Sequence, residues 1–563
     1  MYIPDLAPVA GSLMWSSLLA LLPLVTIFVT LGVLRWKAHW AGLAALVVAA
    51  LVAVLAYAMP LHLVGLSATQ GFAFGLFPIM WIVVNAIWLY ELTVRSGRFD
   101  DLRLVIDAIS DDPRVQAIII AFCFGGLLEA LAGFGAPVAI TGVMLMAVGF
   151  TAMRAASVVL IANTAPVAFG AIAIPIITAG NLTGIDYEHI GAIVGRQAPF
   201  LALFVPLFLV LLVDGKRGVR QLWPLALTVG GAFAVAQFIS SNFLSVELTD
   251  IVASLAALAA AVLMLQVWKP VGGKEALEKM DLERRDEAAG PVSLGDVGGA
   301  ISTDTIQRTD VKLTPKRVFL ALFPYLLVVA IFSVAKLWAP LTSWLATTDV
   351  KIHWPGLDGN VFTAAGELST SSVYNFQWLS SPGTMLLATG IVVALVYKMS
   401  ASDALDVYRE TLVKLRFAIL TVGFVLALAY VMNQSGQTIT IGTWIAGTGA
   451  AFAFFSPILG WLGTAVTGSD TSANALFATL QQAAAEKAGL DPALLVAANT
   501  SGGVVGKMIS PQNLTIAATA VGLVGRESDI FRKVIWWSLG MLAAMCLLVG
   551  LQSTVLSWMI PAL

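Results

Sequence analysis

Cysteine is nearly absent from this chain: two in 563 residues, Cys123 and Cys546, each inside an apolar run. Two isolated thiols form no disulfide framework, and both read as plain core or lipid-facing residues. Histidine is almost as scarce, with His39, His62, His189 and His353 scattered at the edges of expected loops. No ligand spacing links them, so neither a metal centre nor a cofactor is expected. Charge is sparse as well: 11% of residues are Asp, Glu, Lys or Arg, and the formal net charge is −2. An ordinary soluble domain carries about 25% charged residues. Lacking a basic patch or tail, the chain offers nucleic acid no electrostatic footing. No basic stretch precedes the first apolar run, which therefore reads as a retained span and not a cleaved signal. A polytopic enzyme needs a metal cluster or a nucleophile–base pair at depth, and neither is in view; no catalytic residue is assigned.

What the chain has in excess is apolar sequence, 59% of all residues. Many runs reach the ~20 residues that cross ~30 Å of hydrocarbon as a helix. The fold class is accordingly an all-α polytopic membrane protein in the lipid bilayer. Spans are expected near 12–33, 41–60, 67–90, 155–181, 188–213, 222–243, 251–267, 318–339, 382–398, 415–433, 492–523 and 534–560. That is twelve, with two broken segments besides, 115–150 and 453–484. Loops bearing Arg35 and Lys37, Arg95 to Arg114, Lys216 to Arg220, and Arg526 to Lys533 fall inside by the positive-inside rule, which leaves both termini outside. The stretch 268–317 holds nine basic residues and as many acids, and reads as a cytoplasmic linker with little fixed structure. The stretch 341–381, with one lysine, three acids and Trp344, Trp354 and Trp378, reads as an external loop.

One unusual string is written twice. Asn163-Thr164 is followed by Gly170 and Pro175, and Asn499-Thr500 by Gly506 and Pro511, with offsets of seven and twelve residues from the asparagine in each copy. Upstream of each lies a second helix-breaking element, LEALAGFGAP (128–137) and TGSDTSANA (467–475), centred on Gly133 and Gly468 at 30 and 31 residues before the asparagine. Ser96-Gly97 and Ser435-Gly436 precede those glycines by 36 and 32 residues. Basic residues place the start of the first Asn-Thr span and the end of the second on the same side, so the halves run upside down relative to each other. The chain is thus expected to divide into a first inverted repeat (1–214, scaffold spans 12–90 and transport elements 115–213), connector spans (215–267), the linker (268–317), and a second repeat (318–563, transport elements 453–523).

Polar, glycine-broken backbone duplicated at membrane depth is the strongest sequence pointer to a transporter's binding site. Small residues also serve plain close packing, but matched spacing in both halves favours the functional reading. Broken helices must turn their unpaired backbone groups toward protein, water or ligand. Their N-termini offer free N–H donors and partial positive charge to a carboxylate. The candidate substrate-binding residues are Gly133, Phe134, Gly135, Asn163, Thr164, Ser469, Thr471, Asn499, Thr500, Ser501 and Lys507, with interruptions expected at Asn163–Pro166 and Asn499–Gly503. Ionisable residues at depth cost ~2.5–3.5 kcal/mol each on insertion scales and are functional candidates by default. Four are visible: Asp470 and Glu129 as candidate proton carriers, Lys507 as attractor of the anion, and Arg196 as a structural or ion-pairing residue. A channel needs a ring or filter that a single two-fold repeat supplies poorly.

At these residues the chain resembles the lactate permease family. The matching stretches are FCFGGLLEALAGFGAPVAI (122–140), NTAPVAFGA (163–171), VGRQAPF (194–200), FFSPILGWLGTAVTGSDTSANALFA (454–478) and VAANTSGGVVGKMISPQN (496–513). WPLAL and AQFISSNF within 223–243 and VGLVGRESDIFR (521–532) extend the likeness nearly end to end, weakest over 268–380. The resemblance implies proton symport of L-lactate, D-lactate and glycolate across a bacterial inner membrane, in an elevator-like fold with paired hairpins and a scaffold domain; it admits a homodimer. Proton over sodium comes from the resemblance alone, since hydroxyl and carbonyl groups at such breaks can equally coordinate Na⁺, the sodium-coupled carboxylate transporter being the alternative.

Overall fold

The computed structural model describes residues 1–34, 36–107, 109–133, 135–289, 314–364 and 366–561. Arg35, Phe134 and residues 290–313 of the hydrophilic linker lie outside them. The described residues are predominantly helical, with a short antiparallel hairpin, Val350–His353 with Val373–Phe376, inside the stretch read as an external loop. Ten helices among the described residues are long and apolar enough to cross a membrane. These ten do not correspond one to one with the twelve expected spans, for two reasons. One continuous run, Ala198–Leu244, covers two of the expected spans, bent only at Gly215 (φ 67°, ψ −155°). Interrupted spans are instead built from short helices, such as Ala152–Ala162 and Ile174–Thr183. Large apolar side chains such as Leu55, Val235, Leu263, Leu395 and Phe455 stand on the outer surface, as lipid-facing residues do.

Both expected hairpins form. The first runs up Pro113–Leu131, turns at Gly133 and Gly135, and returns as Ala136–Val148. Its rising arm is wholly buried, so it lies inside the protein and not against lipid. Gly133 adopts φ 38° with ψ −150°, a backbone state that a side chain would strain. The second hairpin rises as Phe452–Thr467, turns at Gly468 (φ 77°) and returns as Asp470–Ala488. Ser469 caps the returning arm by accepting a hydrogen bond from the Ser472 N–H. Gly97 and Gly436, the paired Ser-Gly sites, both stop a helix in the left-handed conformation.

The linker expectation needs correction as well. Gly273–Ala289 is a helix, and its start is tied to the first hairpin's foot. Arg114 there is fully buried and holds Asp112 at 2.8 Å and Asp214 at 3.1 Å, and donates to the Val271 carbonyl at 2.8 Å. Lys279 on the helix reaches Asp214 at 3.4 Å. Of the segment's own charges, Lys279 and Glu275 take part in its attachment, to Asp214 and Arg217.

Candidate functional site

The duplicated string marks two breaks, but not at equivalent residues. In the first copy, helix Ala152–Ala162 ends at Asn163, and an irregular turn runs to Ala173 before helix Ile174–Thr183 begins. Pro166 explains the stop, since it brings no N–H to continue the helical ladder. In the second copy Gly502 stands at the matching offset, and helix Pro492–Gly506 passes unbroken through Asn499-Thr500. The interruption expected at Asn499–Gly503 is therefore corrected: the second break lies at Lys507–Ser510. Ser510 is extended (φ −67°, ψ 140°) and caps helix Pro511–Ala520 through the Asn513 N–H. The prolines at offset twelve, Pro175 and Pro511, sit in the first turn of the second half-helix in both copies, where a missing N–H costs nothing.

Glycines at these elements permit close approach as much as bending. A Cβ on Gly460 would fall 1.8 Å from the Asn499 carbonyl oxygen, and one on Gly506 2.4 Å from that of Trp461. The second hairpin and the second broken span therefore meet backbone to backbone, the small-residue contact familiar between membrane helices. Tips and breaks also meet one another. Gly133 faces Ala171, Gly135 faces Ile516, and Gly468 faces Gln512. The half-helix beyond each break packs on the returning arm of the opposite hairpin, Ile174–Thr183 on Asp470–Ala488 and Pro511–Ala520 on Ala136–Val148.

Where these pieces meet sits one buried cation. Lys507, 8% exposed, lies 2.6 Å from Oε1 of Glu129, itself 2% exposed. Asn163 donates to the other oxygen of Glu129 at 2.9 Å. Glu129 comes from the first hairpin, Asn163 from the first break and Lys507 from the second break; the pair joins the two halves. Asp470, 4% exposed, begins the returning arm of the second hairpin. Thr464 donates to its Oδ1 at 3.3 Å, and Oδ2 has no hydrogen-bond partner among the described residues. Gly503 is required beside it, because a Cβ there would lie 1.9 Å from Oδ1.

A second network locks the halves without charge. Asn474 donates to the Pro175 carbonyl at 3.0 Å and to Thr500 at 2.8 Å, and accepts from Asn499 at 2.8 Å. Gln481 donates to Asn499 at 3.3 Å and to the Ser456 carbonyl at 2.8 Å. Ser501 donates to Gln197 at 2.7 Å, and Gln197 to Gln552 at 2.9 Å. Asn499, Thr500 and Ser501 are fully buried and engaged with protein partners. Thr164 bonds back to the Ile161 carbonyl at 2.6 Å, and Thr471 is buried near the hairpin tip. Arg196 stands apart from the cluster and forms no ion pair among the described residues: it donates to Asn242 at 2.9 Å and the Met559 carbonyl at 2.7 Å. The ion-pairing role is replaced by neutral anchoring.

Sequence reasoning missed Asn474, Gln481 and Gln197, although Asn474 stands within the TGSDTSANA string. It also missed Asp250, 1% exposed, which opens helix Thr249–Val267 beside the first hairpin. At the mouth of a long apolar run, Asp250 reads as an interfacial residue, and nothing in its neighbours signals otherwise. Apolar grooves of about 430 and 360 Å³, lined by residues such as Trp88 and Tyr408 or Phe204 and Trp537, lie away from all of these polar groups.

Buried breaks, two hairpins and a multi-pass helical body define a membrane permease. A sequence profile described as L-lactate permease matches residues 16–556, and the chain belongs to that family. It is 42% identical over 573 residues to the glycolate permease GlcA of Escherichia coli, covering 100% of this chain and 99% of the relative. The L-lactate permease of Bacillus subtilis is 42% identical over 98% of this chain and 99% of its own length. That of Escherichia coli is 42% identical over 98% of each. The solved YdaH transporter of Alcanivorax borkumensis aligns at 14% identity over 86% of each chain with a TM-score of 0.42, a distant likeness.

Proposed function

We propose that this protein takes up L-lactate and related 2-hydroxymonocarboxylates, D-lactate and glycolate among them, by proton symport across the bacterial inner membrane. Relatives named for L-lactate and glycolate at 42% identity over nearly the whole chain support the substrate class. The observation that carries the mechanism is the buried Lys507–Glu129 pair at the meeting of both breaks. An incoming carboxylate displaces Glu129 from Lys507 and takes over its charge-assisted hydrogen bond, the strong kind in a dry site. The starts of Ala136–Val148, Ile174–Thr183 and Pro511–Ala520 add the partial positive charge of three helix ends to the anion's surroundings. Asn163, released from Glu129, is placed to bond the substrate's hydroxyl. Gly133, Gly135, Ser469 and Thr471 form the tips that open to admit it.

Charge counting supports coupling to protons. Glu129 and Asp470 face a single ammonium, so admitting an anion adds a charge to a site already balanced toward the negative. A proton arriving on a buried carboxylate of the site cancels it, and transport of the neutral sum follows. We assign the halves 1–214 and 318–563 to inverted repeats joined by the connector 215–267, with both termini external; the reciprocal packing of each half-helix on the opposite hairpin supports that arrangement. An elevator-like movement of the hairpins and broken spans against the remaining helices then exposes the site to either side. Uptake of labelled L-lactate into proteoliposomes tests the reading: saturable accumulation driven by an inward proton gradient is expected, while passive equilibration, or accumulation driven by Na⁺ alone, refutes it.

A further inference from the structure

We infer that Asp250, on the connector helix, is the residue that carries the coupling proton. This rests on the symport reading and names its titrating group. Neither carboxyl oxygen of Asp250 has a hydrogen-bond partner among the described residues, although the side chain is 1% exposed. Glu129, by contrast, is satisfied as a carboxylate at both oxygens, by Lys507 and Asn163. Asp470 has one of its oxygens engaged by Thr464. Of these three acids, Asp250 alone has both carboxyl oxygens without a hydrogen-bond partner among the described residues.

Its polar neighbours are two neutral side chains. Gln237 of the preceding connector helix lies beside Asp250, its amide nitrogen turned to the Ala165 carbonyl at 3.2 Å and its Oε1 left without a partner. Ser254, one turn further along the helix, also has an unpartnered hydroxyl, pressed against Gly126 of the hairpin arm. A Cβ on Gly126 would fall 2.5 Å from that hydroxyl, so the helix rides directly on the arm that bears Glu129. In the substrate-loaded state, a proton on Asp250 gives Gln237 Oε1 the donor it lacks here. Buried polar groups without partners are uncommon, and a catalytic role is one of the few accounts of them.

The charged groups that act on Asp250 are few. The first hairpin brings Glu129 and the second break brings Lys507. The turn Ala171–Ala173 brings only apolar side chains. Helix Pro315–Leu337 brings Tyr325, whose neighbours are Tyr90 and Tyr397, while its Arg317 is held by Asp101. Glu247, just before the helix, is bound by Tyr187 and Ser245. Asp250 therefore senses the state of the Glu129–Lys507 pair and little else. With Lys507 paired to Glu129, one ammonium faces three acids, Glu129, Asp470 and Asp250. When the substrate carboxylate takes Lys507, Glu129 is left bare beside Asp250, and a proton on Asp250 restores the original charge. On the release side the O–H bond breaks, the proton leaves to water with the departing anion, and Glu129 returns to Lys507. One anion and one proton thus travel together without a change in the cluster's charge.

Asp250→Asn separates the two fluxes. In proteoliposomes the variant is expected to lose proton-gradient-driven accumulation of labelled L-lactate by at least tenfold, while lactate–lactate counterflow continues at a rate that no longer changes with pH. Accumulation under a proton gradient at the wild-type level overturns the inference, as does loss of counterflow in protein that remains monodisperse. Where the asparagine blocks assembly, Asp250→Glu takes its place: a shifted pH profile of accumulation supports the role and an unshifted profile refutes it. Wild-type protein that accumulates lactate under a Na⁺ gradient but not a proton gradient removes the symport reading itself, an outcome visible without either variant.

Discussion

Removing the charge of Lys507 is the perturbation whose effect can be worked furthest from the structure. A carboxylate ~4 Å from an ammonium gains about 4 kcal/mol at an effective dielectric of about 20. The substrate does not collect all of that, because it must first displace Glu129 from 2.6 Å. What it keeps is close to the net value of a charge-assisted hydrogen bond, about 1.5–3 kcal/mol. Loss of Lys507 is therefore expected to raise the apparent KM for L-lactate about 10- to 150-fold. Lys507→Ala alone also leaves Glu129 buried and unpaired, a defect that costs about 3–5 kcal/mol of stability. The variant that isolates binding is the neutral double replacement, Lys507→Met with Glu129→Gln, which removes both charges together. Thermal unfolding in detergent is expected to show it more stable than Lys507→Ala, and uptake kinetics in proteoliposomes to show the raised KM in both. A double variant with a KM within twofold of wild type would refute the placement of the anion at Lys507.

Other residues give equally direct checks. Asn474→Ala removes hydrogen bonds to Pro175, Thr500 and Asn499 at once, and is expected to cost about 2–4 kcal/mol of stability at ~1 kcal/mol for each bond, read by thermal unfolding. Gly460→Ala drives a methyl into the Asn499 carbonyl; it is expected to lower stability by at least the ~1–3 kcal/mol of core overpacking, whereas Gly447→Ala, in open space, is expected to leave stability unchanged. Arg114→Ala strands Asp112 and Asp214 and is expected to free helix Gly273–Ala289, seen as faster amide exchange confined to that segment. Between the strands Val350–His353 and Val373–Phe376, hydrogen bonds from Ser372 and from His353, at 2.8 Å, hold the Asp358 carboxyl below the usual carboxylate range. A lowered value means the contribution is present at neutral pH and lost as pH falls through the bound value. Amide exchange over residues 350–376 is expected to quicken there and not between pH 6 and 8.

How much of this was legible in the residues depends on which residue is asked. Gly133, Gly135 and Gly468 announce the hairpin tips because glycine beside proline or a polar cluster leaves helix few ways to continue. The duplicated Asn-Thr string announces the two broken spans, yet the asparagines carry different local structure. Pro166 ends the helix at Asn163, while Gly502 weakens the helix at Asn499 without ending it, a penalty of about 1 kcal/mol that tight packing readily offsets. The prolines at offset twelve are the shared mark of a restarted helix. Lys507, Glu129 and Asp470 were found because charge inside an apolar run is conspicuous. Asp250 was not, because a single acid at the first turn of a span looks the same whether it faces headgroups or the protein interior. Only the packing of Gly126 against Ser254 turns it inward. The linker helix was hidden for a similar reason: balanced charge reads as solvated until Arg114 and Asp214 are brought beside it.

The most direct measurement is a structure of the protein with L-lactate bound in a lipid nanodisc. The substrate carboxylate is expected within about 3 Å of Lys507 Nζ, hydrogen-bond distance, with Glu129 turned away from it. Lactate seated elsewhere, with Lys507 still joined to Glu129 and both hairpin tips closed, contradicts the account.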